Sequence, residues 1–242
     1  MRDALRHSLA EFIGTFALVF VGSGALLLAR ASGSTINLIE IALAHGLILA
    51  AMVTATMRVS GHLNPAVTIG ILAARRIGPM MAVVYILAQL LGAMAAAYVL
   101  KGVYPESAFV AARGGGQLVA EGVSSGTAYL LEAIATFFLV FVVFGTAVDP
   151  QAPKVGGFAI GLTVAADILA IGPLTGASMN PARSFGPAVA SGIFEGQIIY
   201  WVGPILGAVA AALLYDTLFL RRGIEPVDHG PIDPVDEPVG RP

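Results

Sequence analysis

Long stretches without charged residues recur along this chain at the length of a membrane helix. No Asp, Glu, Lys or Arg occurs in 12–29, 41–57, 77–100, 133–148 or 196–215, and Asp167 alone interrupts the stretch between Lys154 and Arg183. A helix needs ~20 apolar residues to cross the ~30 Å hydrocarbon core of a bilayer. The pattern therefore predicts six spans, over residues 8–29, 38–58, 79–100, 127–148, 157–172 and 197–220.

Two further apolar segments, 65–75 and 181–190, are too short to cross a bilayer. At ~1.5 Å per residue each reaches only ~15 Å. Both begin with Asn-Pro, which is typical of a helix N-cap followed by the favoured first helical residue. Because irregular backbone at membrane depth is tolerated only where it is buried or lines a cavity, two half-helices predict a pore or a binding site.

The composition supports a membrane protein and excludes several other classes. Apolar residues make up 57% of the chain and charged residues 12%, against about 45–50% and about 25% in soluble domains. The net charge of −2 offers no basic face for nucleic acid, and the absence of cysteine excludes disulfides and cysteine metal sites. No nucleophile–base pair or set of metal ligands can be assembled, so neither an enzyme nor a bound cofactor or metal is expected.

Basic residues predict the orientation of the chain. With the N-terminus in the cytosol, the inner side collects nine of them, Arg2, Arg6, Arg58, Arg75, Arg76, Lys154, Arg221, Arg222 and Arg241, whereas the outer side has Arg30, Lys101 and Arg113. This asymmetry follows the positive-inside rule. We therefore expect an integral multi-pass protein of the cell membrane with both termini in the cytosol. Residues 223–242, rich in proline and acidic residues, are expected to form a disordered cytosolic tail.

The two halves of the chain repeat one another. Glu11-x-x-x-Thr15 is matched by Glu132-x-x-x-Thr136, Gly46-Leu47 by Gly161-Leu162, and the Asn-Pro-Ala triplet at Asn64, Pro65 and Ala66 by the triplet at Asn180, Pro181 and Ala182. The repeats cover about 5–101 and 125–220. Since each holds three spans, the copies have opposite orientations in the membrane. The predicted fold is an all-α inverted repeat of six transmembrane helices with two re-entrant half-helices.

The asparagines have a chemistry beyond capping. The side-chain oxygen of a cap accepts backbone N–H groups, which leaves the NH2 groups of Asn64 and Asn180 as donors with only the pore contents to accept from them. Carbonyl groups before the caps, around Gly61, His62 and Leu63 and around Gly176, Ser178 and Met179, are expected to supply acceptors. The positive ends of both half-helix dipoles point to the same place and oppose cations.

The segments SGHLNPAVTIG and TGASMNPARSFGPAV resemble the paired signature loops of the aquaporins, the major intrinsic protein family. The short segments TAVDP, GASMNPA and YWVGP are most similar to the corresponding segments of the tonoplast intrinsic proteins of plants. The first loop departs from the usual Ser-Gly-x-His by one missing residue, since this chain reads Ser60-Gly61-His62. The resemblance implies a channel domain over 1–222, assembled as a homotetramer in the lipid bilayer, with one pore per subunit for water and small neutral solutes.

Arg183 is an intramembrane cation in the first turn of a half-helix, where the helix dipole does not stabilise it. Either it faces a wet cavity or it pairs with Asp167. By resemblance it belongs to the outer selectivity filter, and the family's spacing gives His45, Ile168 and Ala177 as the other three members. His62 is a candidate for the cytosolic mouth, where its protonation would make flow sensitive to pH.

Glu11 and Glu132 are buried acids at equivalent places in the repeat. They could relay protons, but carboxylates also accept several N–H groups and could hold the re-entrant loops. The resemblance implies this bracing role, which we favour.

Three alternatives to a water channel remain at this stage. A glycerol facilitator of the family usually has Asp after the signature arginine, Lys or Arg four residues later and Pro-Leu in the last span, where this chain has Ser184, Ala188 and Tyr200-Trp201. A secondary transporter would use Glu11, Glu132 or Asp167 as ion ligands. A junctional protein would have a sealed pore. Because Ile168 and Ala177 make one side of the filter apolar, we also predict ammonia permeability.

Overall fold

The computed structural model describes residues 2–31, 37–153 and 155–220. Three of the basic residues used for the orientation, Lys154, Arg221 and Arg222, lie outside these ranges, as does the predicted tail 223–242 with Arg241. Within the described ranges all regular secondary structure is helical.

Six long helices occupy the six stretches without charges. Their bounds are α1 Arg2–Ala31, α2 Leu38–Thr56, α4 Pro79–Val103, α6 Ser125–Val143, α7 Gly156–Thr175 and α9 Ile199–Tyr215. Helices α6 and α9 each continue into a wider turn, over Phe144–Val148 and Asp216–Leu220. All six are long and apolar enough to cross a membrane, as the charge pattern predicted. The chain is an integral multi-pass membrane protein.

The two half-helices are α3 Pro65–Ala73 and α8 Pro181–Ser191. Each begins with proline directly after an asparagine cap, because an N1 residue needs no hydrogen-bonded N–H. Gly192 ends α8 in the left-handed conformation, with a φ of 77°, which glycine adopts without a Cβ clash. At 9 and 11 residues, neither helix can span a bilayer.

Helix packing follows the sequence repeat. In the first half α1 packs on α4, in the second half α6 packs on α9, and α2 crosses α7 between the halves. The crossing brings together two glycines at equivalent repeat positions. A Cβ on Gly46 would lie 2.6 Å from the carbonyl oxygen of Gly161, so only glycine permits this approach of the two backbones.

The segment between α4 and α6 adds structure that the sequence pattern did not predict. It contains a short helix, α5 Glu106–Ala111, and a tight helical turn at Arg113–Gly115. Its hydrogen bonds to the bundle include one from Ser23 Oγ to the Gly115 carbonyl at 3.1 Å and one from the Ala120 N–H to the Leu174 carbonyl at 2.9 Å. The segment also packs on α8 at Pro187, whose carbonyl oxygen would lie 3.1 Å from a Cβ on Gly114.

Polar residues lie inside the bundle and large apolar residues cover much of its surface. Glu11, Glu132, Thr136 and Ser184 are fully buried, whereas Leu5, Leu28, Met80, Phe158 and Leu206 are more than half exposed. A soluble protein would bury the second group and expose the first. The arrangement suits a hydrocarbon environment around a polar interior.

Candidate functional site

A narrow passage runs between the two half-helices. Its free volume is about 30 Å³, which is room for only one or two water molecules. Apolar side chains line most of it: Leu18, Leu49, Val53, Val67, Leu139, Val143, Ile160, Val164, Ile168, Ala177 and Met179. The polar lining comes from Gly61, His62 and Asn64 of the first loop, from Ser178, Asn180 and Arg183 of the second, and from His45 of α2.

A wider cavity shares lining residues with each end of the passage. At one end the Arg113 cavity, of about 390 Å³, includes Arg113 and Gln117 and shares Ile168 and Arg183 with the passage. At the other end the His7 cavity, of about 360 Å³, includes His7 and Tyr85 and shares His62 with it. The passage and the two cavities therefore follow one another across the bundle.

The N-termini of the two half-helices meet at the middle of this path. Asn64 Oδ1 accepts the Ala66 N–H at 2.8 Å, and its Nδ2 donates to the Met179 carbonyl at 2.8 Å. Asn180 mirrors it: Oδ1 accepts the Ala182 and Arg183 N–H groups, and Nδ2 donates to the Leu63 carbonyl at 2.9 Å.

This geometry corrects one expectation from the sequence. We expected both hydrogens of each NH2 group to have no acceptor except the pore contents, but one hydrogen of each binds the opposite loop. Each amide retains one hydrogen for a molecule in the passage. The two cross-loop bonds also fix both amides, so the remaining donors have defined directions.

The backbone before each cap is strained. Leu63 and Met179 adopt φ angles of 50° and 53°, and Ala177 one of 45°, a conformation that costs a non-glycine residue of order 1–3 kcal/mol. The strain turns the Leu63 and Met179 carbonyls to the opposite asparagines. Two residues expected to offer free acceptors are placed differently: Leu63 is fully buried and does not line the passage, and Gly176 lines the Arg113 cavity.

Glu11 holds the first loop from α1. Its carboxylate accepts the His62 N–H at 2.9 Å and the Leu63 N–H at 2.6 Å, together with the Ser60 hydroxyl. Gln89 of α4 donates to it at 2.6 Å. Four donors compensate the burial of this carboxylate.

Glu132 holds the second loop in the same way. It accepts the Ser178 N–H at 2.9 Å, the Met179 N–H at 2.8 Å and the Thr175 hydroxyl at 2.7 Å. The two threonines at equivalent repeat positions differ: the Thr136 hydroxyl donates to the Glu132 carbonyl at 2.7 Å, whereas the Thr15 hydroxyl has no partner among the described residues. The contacts of both glutamates are those that the bracing interpretation requires.

His45 and Arg183 form a hydrogen-bonded pair at one end of the passage. His45 Nδ1 lies 2.8 Å from the Ile41 carbonyl. Because a carbonyl can only accept, Nδ1 carries the proton and Nε2 is an acceptor. Arg183 donates to this Nε2 from Nε at 3.2 Å and from Nη2 at 2.8 Å. Both nitrogens of His45 are therefore occupied, and this neutral ring directs the guanidinium.

Arg183 does not pair with Asp167. No carboxylate of the described residues lies within salt-bridge distance of the guanidinium, and its buried Nη1 has no hydrogen-bond partner there. Asp167, 9% exposed, keeps one buried oxygen without a partner. The pairing that we considered from the sequence is wrong, and Arg183 lines both the passage and the Arg113 cavity.

His62 lies at the other end of the passage. Its Nδ1 is 3.1 Å from the Thr68 hydroxyl, which itself donates to the Asn64 carbonyl. Nδ1 is therefore the protonated nitrogen, as in His45. The ring packs edge-on against Tyr85 at 5.0 Å. Burial lowers the pKa of His62 below its ordinary 6.5; the Glu11 charge opposes this effect and His7 adds to it.

Gln117 is a site residue that the sequence did not reveal. It is 6% exposed and lines the Arg113 cavity, and neither its oxygen nor its nitrogen has a partner among the described residues. Its only signal was a polar side chain after three glycines. No group of three or more Asp, Glu or His residues that could hold a metal ion occurs in the described ranges.

Known proteins are similar to this chain over most of its length. The family model described as Major intrinsic protein matches residues 1–215. The chain is 44% identical to Aquaporin TIP4-4 of Zea mays over 231 residues, 90% of this chain and 88% of the relative. It is 44% identical to Aquaporin TIP2-1 of Arabidopsis thaliana over 226 residues, 90% and 88% of the two chains. The crystal structure of the aquaglyceroporin from Plasmodium falciparum superposes with a TM-score of 0.77 at 27% identity, covering 89% of this chain and 96% of that one.

Proposed function

This chain belongs to the major intrinsic protein family, and from this premise we propose that it is a passive transmembrane channel for water that also conducts ammonia and excludes protons and ions. It is a channel and not an enzyme. The pore follows the passage between the two half-helices, with the two asparagines at its centre.

The paired asparagines carry the proposal. One hydrogen of each amide binds the opposite loop, and the other remains for the pore contents. Both donors act on the oxygen of a water molecule at the centre of the passage. That water then directs its own hydrogens away on both sides. It cannot accept a hydrogen bond from the neighbouring water molecules in the passage. The hydrogen-bonded chain along which a proton would hop is interrupted there.

Electrostatics exclude cations from the same path. Each half-helix N-terminus is equivalent to roughly half a positive charge, and both point at the centre. Arg183 adds a full charge at one end without a carboxylate partner among the described residues. In a passage lined mostly by apolar side chains these charges are weakly screened. Ammonium and hydronium meet this barrier, whereas water and ammonia do not.

We propose His45, Ile168, Ala177 and Arg183 as the selectivity filter. All four line the passage at the end that adjoins the Arg113 cavity or close to it. Ile168 offers no hydrogen bond, Ala177 is small, and His45 is occupied by Ile41 and Arg183. A solute that needs fewer hydrogen bonds than water loses less here, which favours ammonia beside water.

The positions that typify glycerol facilitators read differently in this chain. Ser184 is buried and donates to the Pro181 carbonyl at 2.9 Å, Ala188 is buried, and the Tyr200 hydroxyl donates to the Thr175 carbonyl at 2.8 Å. Tyr200 thus supports the second loop beside Glu132. Although the solved neighbour is an aquaglyceroporin, these side chains favour water over glycerol.

The carboxylates give no support to a secondary transporter. Glu11 and Glu132 are engaged with loop N–H and side-chain donors, and neither lines the passage. Asp167 has a free oxygen but also lies outside the passage lining. Coupled transport would need an ion site on the solute path.

The proposal is tested by osmotic shrinkage of proteoliposomes, followed by light scattering, with an impermeant osmolyte, glycerol and ammonium salts in parallel. We expect fast water flow, slow glycerol flow and internal alkalinisation by ammonia. Water flow that matches empty liposomes at verified incorporation would refute the channel. Solute flow that ceases when ion gradients are collapsed would indicate a coupled transporter.

We further propose the assembly and its orientation. The channel domain, 1–222, forms a homotetramer in the cell membrane with one pore per subunit, and both termini face the cytosol. Because the chain has no cysteine, single cysteines can be introduced in the loops and labelled with an impermeant maleimide. Labelling of position 106 but not of position 76 from outside is the expected result, and the reverse would invert the orientation.

A further inference from the structure

The Arg113 cavity is lined by three residues whose buried polar atoms have no hydrogen-bond partner among the described residues. Arg113 Nη1, Arg183 Nη1 and both polar atoms of Gln117 are buried without a partner, and all three residues line this one cavity of about 390 Å³. A water channel needs small polar contacts at its entrance, but two guanidinium groups exceed that need. We propose that this cavity is a binding site for a small oxoanion of the phosphate or carboxylate class.

Arg113 is held so that one nitrogen remains free. Its Nη2 donates to Glu195 at 2.8 Å, and its side chain is 26% exposed whereas that of Glu195 is 71% exposed. The ion pair lies at the solvent side, and Nη1 lies on the buried side. The backbone of Arg113 adopts a φ of 52°, which a non-glycine residue adopts at a cost.

Gln117 is fixed by packing and not by its own amide. A Cβ on Gly176 would lie 2.8 Å from the Gln117 Cβ, so the side chain packs closely against the second loop beside Ala177. The Ala120 N–H bond to the Leu174 carbonyl holds the segment on the other side. A buried amide without a partner is costly. Its Nε2 can donate to an anionic oxygen, whereas its Oε1 can only accept, so Nε2 is the expected ligand.

The charge balance of the cavity is positive. Among the described residues that line it, only Arg113 and Arg183 are charged. Glu195 is paired with Arg113, and Glu132 accepts loop N–H groups; neither of them nor Asp167 lines the cavity. His45, the partner of Arg183, is neutral. Two guanidinium groups and an amide supply several N–H donors, which suit the several acceptor oxygens of an oxoanion.

The location gives the site a consequence. Arg183 lines both this cavity and the passage, so an anion held by Arg183 and Arg113 lies across the entrance of the water path. A bound oxoanion therefore slows water flow from the side of the Arg113 cavity, an inference that rests on the proposed channel function. Inorganic phosphate and a phospholipid head group carry the same anionic oxygens, and the experiment distinguishes these two sources.

Binding is measured first, independently of transport. Purified protein in a neutral detergent is titrated with inorganic phosphate and followed by phosphorus NMR line broadening. Arg113→Gln and Gln117→Leu keep side chains of related size, and Arg58→Gln removes an exposed charge elsewhere. We expect saturable binding to the unmodified chain and to Arg58→Gln, weakened about tenfold or more by Arg113→Gln, since this variant removes a charge-assisted hydrogen bond. An equal loss in Arg58→Gln, or no saturable binding to the unmodified chain, would overturn the site.

Transport is measured second, in vesicles of neutral lipid at constant ionic strength and osmolarity. External phosphate in place of chloride should slow osmotic shrinkage severalfold, and Arg113→Gln should restore it. Vesicles that contain an anionic phospholipid test the head group: slow flow there that Arg113→Gln relieves, without an effect of phosphate, assigns the lipid as the source. Phosphate binding with unchanged flow in both lipids would refute the obstruction. Absence of water flow in every condition would instead refute the channel, while the NMR titration still decides the site.

Discussion

Replacing Ile168 by histidine should shift the channel from ammonia towards water. Among the four proposed filter side chains, only Arg183 Nη1 is free to bind a solute, because Ile41 and Arg183 occupy both nitrogens of His45. Ammonia uses that donor through its lone pair, and its own N–H groups are weak donors. Water has two strong O–H donors, and the filter side chains offer them no acceptor.

The magnitude follows from one hydrogen bond. A neutral imidazole at position 168 supplies one acceptor, and a net hydrogen bond is worth about 1 kcal/mol. Since 1.4 kcal/mol corresponds to a factor of ten, the ratio of water to ammonia permeability should rise about fivefold in Ile168→His. Ile168→Leu keeps the apolar character and the volume, so it should leave this ratio within about twofold of the unmodified protein.

The assay combines two readings on the same vesicles at pH 8, where an exposed histidine is neutral. Light scattering gives the water permeability, and an internal pH dye gives the alkalinisation rate after an inward ammonium gradient. A water-to-ammonia ratio that stays the same in Ile168→His and Ile168→Leu would show that hydrogen bonding at this position does not set the selectivity. A fall of the water and ammonia fluxes by the same factor would indicate that the substitution narrows the filter.

Three further predictions concern the cation, the brace and pH. Arg183→Val should admit glycerol and protons while the protein still elutes as a folded oligomer; unchanged selectivity would make Arg183 structural. Glu132→Gln should lower the apparent melting temperature in detergent by about 5 °C, because a buried carboxylate with three donors loses charge-assisted bonds worth about 2 kcal/mol; an unchanged temperature would contradict the brace. Since burial lowers the pKa of His62, this ring stays neutral above pH 6.5, so water flow should be constant from pH 8 to 6.5 and change only in more acid solution; a transition centred above pH 6.5 would exclude His62 as its origin.

The helices were predictable because charge and length act locally. A stretch without charges either reaches ~20 residues and spans the bilayer or stops short, and the asparagine–proline pairs mark where the short ones begin. The predicted half-helices 65–75 and 181–190 end within two residues of α3 and α8. The predicted sixth span, 197–220, likewise covers α9 and the wider turn after it.

The site was less accessible to the sequence because it depends on contacts between loops. The cross-loop bonds of Asn64 and Asn180 exist only when two segments 115 or 117 residues apart meet. Nothing in the local sequence pattern shows that Arg183 donates hydrogen bonds to Nε2 of His45. Gln117 and Arg113 reach the cavity through the fold of a glycine-rich segment that carries almost no hydrophobic periodicity.

Whether the pore passes water and excludes protons is tested by measuring both fluxes on the same proteoliposomes. Osmotic shrinkage gives the water flow, and an internal dye records acidification after an inward proton gradient with the membrane potential clamped by potassium and valinomycin. We expect shrinkage many times faster than in empty liposomes together with proton influx equal to that of empty liposomes. Water flow at the level of bare lipid, or proton influx that rises with the amount of incorporated protein, would contradict this expectation.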